Sequence, residues 1–329
     1  MKFFQKICLL LLLFLFPGIV FSSEKPFSVS EQKKEAVRGR ELLLKRDYSG
    51  AEKLFQKWIQ EYPDSLLGPF GMMTLYQSKN IENFDTRFNK QFAAWSDQGK
   101  KKALGIYHDP AAEEWDRLVA GGTLGLTAFQ SLQKGNWWES LNDGIIALRL
   151  FSRIAWENPD SGDAVLGIGL YRYWRSVYTR QLWFLPFFSD QRTEGIEQVR
   201  QAAQTGELTG PLAKMALAYI HMEQKEPAQA SPLIRQLRDR YPQNMILKML
   251  QGTLLFREKK FPEAEKEFQN VLRLDPSISK ARLFLATCWI EQNKNREAAE
   301  KELDLFFKDK PEKKWRDLGE QARNLKFYR

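Results

Sequence analysis

The stretch that decides the fold is residues 252–276, GTLLFREKKFPEAEKEFQNVLRLDP. Small residues stand at Gly252 and Ala264, large apolar residues follow each of them, and Pro276 closes the segment. Apolar residues at intervals of three and four predict two amphipathic helices joined by a short turn. A proline disfavours helical geometry in the residue before it. The stretch therefore predicts one helical hairpin that ends near Pro276.

The same spacing recurs along the chain. Pro242 lies 34 residues before Pro276, and Pro311 lies 35 residues after it. The equivalent small and large positions hold Ala218, Ala230 and Ile234 in the first copy and Thr287, Ala299 and Leu303 in the last. A further copy ends at Pro63, with Gly39, Ala51 and Phe55 in those positions. Three tandem copies at one period predict a helical repeat protein.

This pattern resembles the tetratricopeptide repeat (TPR), which places W-x2-L-G-x2-Y, then A-x3-F, then Pro in about 34 residues. The resemblance covers residues 32–63 and 211–311. It implies an all-α, TPR-like α-solenoid of stacked helical hairpins with an irregular central segment. In such a stack each repeat packs on its neighbours. The amphipathic residues 312–329 predict a capping helix at its end.

In TPR proteins the first helix of each hairpin lines a concave groove. The resemblance assigns that role here to Met215, Tyr219, Met222, Met249, Phe256 and Phe284 as partner-binding residues. Flexible methionine side chains suit adaptable recognition of an extended peptide or a helix. In the alternative interpretation, another part of the same chain fills this groove.

The middle of the chain departs from the repeat. Ser140 to Pro159 spans 19 residues, whereas the other repeats have 12 between these positions. This predicts a second helix about two turns longer. Gly121, Gly122 and Gly125 fall inside a predicted helix, although glycine costs a helix about 1 kcal/mol relative to alanine. We therefore predict that they allow a neighbouring helix to approach closely.

Two other segments carry weaker signals. Residues 77–98 are polar and degenerate, but Phe84, Phe88, Phe92 and Trp95 have the spacing of an amphipathic helix. Residues 100–110 predict a loop or a weak helix start. Residues 167–203 distantly resemble the tetratricopeptide repeat protein 39 / inclusion body clearance family. The shared features are a Gly-x-Gly start, a proline in an apolar run, and Asp190, Arg192 and Gly195. As a whole, the chain resembles exported bacterial TPR proteins of unassigned role, which implies a helical adaptor without enzymatic activity.

Residues 171–188 mix aromatic side chains with arginines, and Trp183 and Phe187 are further partner-binding candidates. Aromatic and arginine enrichment is typical of interaction hot spots and of membrane interfaces. The segment therefore predicts either protein contact or peripheral association with a membrane or cell wall. A third interpretation is that its rings cover the core between central helices.

The N-terminus has the order of a secretory signal peptide. Lys2 and Lys6 precede ten apolar residues, 7–16, and small residues then allow cleavage after Ser22. An uncleaved anchor is the alternative. Cleavage lowers the net charge from +9 to +7 and leaves Cys288 as the one thiol, which excludes an internal disulfide. The sequence thus predicts an exported protein, periplasmic or secreted, and the export signal makes a nucleic-acid partner improbable.

Catalytic chemistry has little support in the sequence. His108 and His221 are the two histidines, and no H-x3-H or C-x2-C spacing occurs. We predict an exposed loop position for His108, a packed position with a local hydrogen bond for His221, and a buried or groove-facing position for Cys288. No catalytic residue, cofactor or metal ligand is predicted.

The sequence therefore predicts a non-enzymatic scaffold or adaptor that binds a protein or peptide in the cell envelope or outside the cell. Its predicted segments are a signal peptide (1–22), N-terminal TPR-like helices (23–110), expanded central hairpins with an aromatic loop (111–206), three TPR repeats (207–311) and a capping helix (312–329).

Overall fold

The computed structural model describes residues 27–83, 85–179 and 189–325. Fifteen α-helices and no strand occur in these three ranges. In chain order the helices are α1 (Val29–Leu44), α2 (Tyr48–Glu61), α3 (Leu67–Asn83), α4 (Asn89–His108), α5 (Glu114–Gln133), α6 (Trp137–Glu157), α7 (Gly162–Tyr178), α8 (Arg192–Thr205), α9 (Gly210–Glu223), α10 (Pro227–Arg240), α11 (Met245–Arg257), α12 (Phe261–Leu274), α13 (Ser279–Glu291), α14 (Arg296–Lys308) and α15 (Lys313–Leu325).

The helices form seven antiparallel hairpins. Each odd-numbered helix from α1 to α13 packs on the even-numbered helix that follows it, and successive hairpins stack on one another. The last helix, α15, packs on both α13 and α14. The predicted all-α solenoid of stacked hairpins is therefore confirmed.

The hairpin of α11 and α12 shows why the repeat spacing produces this packing. Ala264, Phe268 and Val271 share one face of α12 and are fully buried. A Cβ atom on Gly252 of α11 would lie 2.7 Å from the Phe268 ring, so only glycine fits there without a shift. In the first hairpin, a Cβ atom on Gly39 would lie 2.6 Å from the Phe55 ring. The small and large repeat positions are thus the contact points of paired helices.

The central hairpin has the long second helix that the sequence predicts, but only two of its three glycines lie close to a neighbouring helix. Helix α6 has 21 residues, whereas α10 and α12 have 14 each, so the predicted extra turns are confirmed. A Cβ atom on Gly121 would lie 2.7 Å from the Phe151 ring, and one on Gly122 would lie 3.0 Å from the Phe70 ring. Gly125 has no such neighbour within 4 Å, so the prediction of close approach is wrong for Gly125.

Helix α4 corrects the sequence reading of residues 100–110. These residues are not a loop up to His108, because α4 continues without interruption from Asn89 to His108. Phe92 and Ala103 are fully buried and fix the helix on its neighbours. Lys100 pairs with Asp143 of α6 at 2.8 Å. Tertiary packing therefore stabilises a segment whose local pattern is weak.

The predicted signal peptide, residues 1–22, lies outside the described residues, and its cleavage stays a prediction. Among the helices that are described, none combines the length and the apolar character needed to cross a bilayer.

Candidate functional site

The predicted groove residues differ widely in accessibility. Met222 is 3% exposed and Met249 is 1% exposed, so their side chains present almost no surface. Met215, Phe256 and Phe284 are half-buried. These five residues therefore do not form one open concave surface.

The N-terminal helices contact α11, one of the helices that are predicted to line the groove. Leu44 of α1 belongs to the same apolar cluster as Met222, Leu247 and Leu250. Helix α3 also contacts α11 across the solenoid. Helix α3 ends at Asn83, and α11 begins 162 residues later, at Met245. The contact between them therefore joins the first hairpins to a distant repeat, and we call this arrangement the closure. The alternative in which the chain itself fills the groove stays a prediction.

Polar contacts between α1 and the loops that connect successive repeats stabilise the closure. The Nη1 atom of Arg40 donates to the carbonyl oxygens of Glu207 at 2.7 Å and Leu208 at 2.9 Å. The Glu41 carboxylate accepts from the Tyr241 hydroxyl at 2.9 Å and from Arg240 at 3.0 Å. Leu208 and Tyr241 belong to successive inter-repeat loops, so α1 runs along the edge that these loops form.

Arg46 continues the same line of contacts. Its Nε donates to Glu82 Oε1 at 2.6 Å, and its Nη2 pairs with Asp275 in the next inter-repeat loop. The Tyr48 hydroxyl also donates to Glu82, whose side chain is 3% exposed. Burial would lower the pKa of Arg46, but the hydrogen bonds and charges of Glu82 and Asp275 raise it. The guanidinium therefore stays charged between two carboxylates.

A row of accessible aromatic side chains spans α6, α7 and α9. Trp137, Tyr178, Trp174 and Tyr219 follow one another with ring-centroid separations of 6.2, 6.0 and 6.1 Å. Trp137 is 59% exposed, Tyr178 50% and Tyr219 41%. We call these four residues the aromatic row.

Three helices position the aromatic row. Trp137 begins α6, and Tyr219 lies on α9. Trp174 and Tyr178 lie four residues apart on α7, which places their rings on the same face of that helix. The row therefore joins Tyr219, predicted from the repeat, with Trp174 and Tyr178 from the aromatic segment 171–188. Trp137 was missed, because its face of α6 depends on the register of the lengthened hairpin.

The phenols of the aromatic row are hydrogen-bond donors at neutral pH. Burial raises the pKa of Tyr178. Burial and the nearby Glu223 carboxylate raise the pKa of Tyr219, and the Arg257 charge opposes this. Glu223 and Arg257 pair at 2.8 Å beside the row. The surface thus combines aromatic faces with hydroxyl donors and a charged pair, as protein-interaction hot spots do.

The remaining predicted residues fall elsewhere. Trp183 and Phe187 lie outside the described residues, and their role stays a prediction. The rings of Phe256 and Phe284 are 5.8 Å apart, and Phe284 also contacts Trp315 of α15 at 6.2 Å. The terminal helix therefore packs against one end of the predicted groove.

The surroundings of His108, His221 and the Cys288 thiol favour structural roles for these residues. His221 is 4% exposed, and its Nδ1 lies 2.7 Å from Glu226 Oε2, so its predicted packed position with a local hydrogen bond is confirmed. His108 is exposed, as predicted, but the predicted loop position is wrong because His108 is the last residue of α4. Cys288 is fully buried, and burial raises its pKa to about 12. Its thiol therefore carries little of the thiolate that nucleophilic chemistry uses.

The stacked hairpins, with their recurrent small and large contact positions, define a helical-repeat protein. Comparison with family models is consistent with this. A model described as tetratricopeptide repeat matches residues 215–277, and a second model with the same description matches residues 255–321. Residues 215–321 are therefore tetratricopeptide repeats, within a larger all-α stack of helical hairpins. No curated protein matches it.

Several solved structures are similar to the chain at low sequence identity. One is the APC/C hetero-tetramer Cut9-Hcn1, with a TM-score of 0.52 and 14% identity, covering 85% of this chain and 49% of that chain. This chain thus spans about half the length of that neighbour. A second is YrrB, a TPR protein with an unusual peptide-binding site, with a TM-score of 0.45 and 15% identity over 68% of this chain and 97% of that one.

A third neighbour is a tetratricopeptide repeat protein from Parabacteroides merdae, with a TM-score of 0.43, 12% identity, and coverage of 89% of this chain and 99% of that one. The family matches begin at residue 215, so the resemblance of residues 167–203 to the inclusion body clearance family stays a prediction. TPR folds are generally non-catalytic and serve protein interaction. The architecture of this chain is accordingly that of a protein-interaction scaffold.

Proposed function

We propose that this chain is an exported, non-enzymatic scaffold that binds an extended segment of a partner protein across the aromatic row. The observation that carries the proposal is the row itself. Three helices hold Trp137, Trp174, Tyr178 and Tyr219 in ring contact, with three of the four rings between 41% and 59% exposed.

The dimensions of the aromatic row favour an extended ligand. Successive rings lie 6.0–6.2 Å apart. Two residues of an extended or polyproline II chain span about 6.2–6.8 Å. One ring step therefore corresponds to about two ligand residues, and the hydroxyls of Tyr178 and Tyr219 can donate to ligand carbonyl oxygens. YrrB, the neighbour described by its peptide-binding site, has the same kind of fold, but the proposal rests on the ring geometry.

A peptide selection tests the proposal. Linear peptides are selected from a random display library on the wild-type protein and then titrated against Tyr219→Ser and Trp137→Ser. Because truncation of a hot-spot aromatic costs about 2 kcal/mol or more, we expect each variant to weaken binding at least about thirtyfold. Trp156→Ser is the matched control, since Trp156 is exposed on another face of α6. Selected peptides that bind all three variants as tightly as wild type would refute the proposal.

The export part of the proposal rests on the sequence of residues 1–22 and has its own test. We expect the chain, expressed in a Gram-negative host, to appear in the periplasmic fraction with Ser23 as its first residue. N-terminal sequencing measures this directly. Cytoplasmic protein that retains Met1 would contradict export and would leave the peptide-binding proposal unaffected.

A further inference from the structure

The outer face of α6 carries two tryptophans that are almost fully exposed. Trp138 is 85% exposed and Trp156 is 87% exposed. In the part of the chain that the structure describes, the other exposed large apolar side chains reach 59% at most. Tryptophan is among the side chains that gain most from burial, at about 150–250 Å² each. Two such residues on one helix indicate a surface that something else covers.

The two tryptophans lie on one line. Trp138 and Trp156 are 18 residues apart, which is about five helical turns and about 27 Å. Leu141, Ile145, Arg149 and Ser152 fall between them at the spacing of a single helix face. We call these six residues the α6 stripe. Leu141 is 41% exposed, and Arg149 and Ser152 are also exposed.

We propose that the α6 stripe rests on an anionic lipid surface. Tryptophan favours the boundary between lipid headgroups and acyl chains, where its ring is apolar and its N–H stays hydrated. A helix that lies in the plane of that boundary buries one apolar line and keeps basic residues among the headgroups. Arg149 is central in the stripe, and its Nη1 atom bonds the Tyr107 hydroxyl at 3.0 Å.

Charge favours an anionic lipid surface over a second copy of the chain as the occupant of the α6 stripe. A two-fold antiparallel pairing of the stripes would place Trp138 opposite Trp156 of the copy. The two Arg149 residues would then lie only about 6 Å apart along the helices, close to the symmetry axis. Like charges in such positions repel. An anionic surface instead attracts Arg149, and the net charge of +7 that remains without residues 1–22 acts in the same direction.

The experiment measures vesicle binding by co-sedimentation. It uses the chain from Ser23 onward, which retains all fifteen described helices and removes the apolar leader. Vesicles contain phosphatidylcholine alone or mixed with phosphatidylglycerol. The variants are Trp138→Ser combined with Trp156→Ser, and Arg149→Gln. Trp137→Ser is the matched control, because it removes the neighbouring ring from the aromatic row and leaves the stripe intact.

We expect wild type to bind the mixed vesicles and the double tryptophan variant to bind them at least about tenfold more weakly. Arg149→Gln should lose about fivefold on the anionic vesicles and little on phosphatidylcholine alone. Trp137→Ser should bind vesicles like wild type.

Three results would overturn the proposal: no wild-type binding, equal binding by the double variant, or a dimer in light scattering that the double variant abolishes. The stripe shares no residue with the aromatic row. Failure here is therefore distinguishable from failure of the peptide selection.

Discussion

Replacement of Arg46 by Asn tests whether the two ends of the chain form one closed unit. Arg46 bonds Glu82 at 2.6 Å and pairs with Asp275 of a distant inter-repeat loop. Its backbone is left-handed, with φ of 65°. Asparagine tolerates that conformation better than most residues. The substitution therefore removes the side chain without adding backbone strain.

The expected loss of stability follows from the burial of the Glu82 carboxylate. The Glu82 side chain is 3% exposed, so the variant leaves a nearly buried carboxylate that still accepts from Tyr48. A hydrogen bond to a charged group contributes about 1.5–3 kcal/mol, and removing one partner of a fully buried ion pair costs about 3–5 kcal/mol. The Arg46 side chain is 25% exposed, so water screens part of the interaction. We expect a loss of about 2 kcal/mol, which is roughly thirtyfold in an opening equilibrium.

Native-state hydrogen exchange with peptide-level mass spectrometry measures this loss. We expect protection to fall about thirtyfold in α3 and in α11, which α3 contacts, and to stay unchanged in α15. Arg87→Asn is the control. Arg87 meets Asp309 at 3.4 Å, with side chains 33% and 40% exposed, and exposed pairs contribute less than about 1 kcal/mol. Unchanged exchange in α11 for Arg46→Asn, or equal effects of the two variants, would refute the closed arrangement.

Two further predictions concern stability. Phe268→Ala should lower the free energy of unfolding, measured in urea, by about 3–5 kcal/mol, because this fully buried ring fills the space against Gly252. A loss below about 1 kcal/mol would contradict that packing. Burial alone would raise the pKa of Asp275, but hydrogen bonds from Ser277 and the bond and charge of Arg46 lower it below its ordinary value of 3.8. The stabilisation is therefore present above about pH 4 and lost as the pH falls. Stability measured in that range should depend less on pH in Asp275→Asn, and an unchanged slope would count against the pairing.

The fold was predictable from the sequence because each hairpin repeats a local rule. Gly252 and Phe268, or Gly39 and Phe55, contact each other within one hairpin, so their spacing appears at every repeat. The spacing of Phe92 and Trp95 indicated the first half of α4, but the sequence did not predict that this helix continues to His108, because buried residues such as Ala103 follow no repeat register and receive their support from neighbouring helices. A local pattern carries no information about such support.

The closure and the candidate sites were harder to predict for a related reason. Arg46 and Asp275 are 229 residues apart in sequence, and each is an ordinary loop residue with no periodic mark. Met222 and Met249, which the repeat register assigned to an open groove, are only 3% and 1% exposed. Tyr219 lies beyond the closure and remains 41% exposed. The register therefore identifies which residues face the groove, whereas only the superhelical path decides which of them a partner can reach.

The start of α6 relates the two proposed surfaces to each other. Trp137 belongs to the aromatic row and Trp138 to the α6 stripe, and consecutive residues of a helix point about 100° apart. A partner segment bound across the row and a lipid surface beneath the stripe would thus approach α6 from different sides. The two extra turns of α6 lengthen the stripe as far as Trp156. The departure from the regular repeat therefore extends α6 into a longer line of exposed side chains, on a different side of the helix from Trp137.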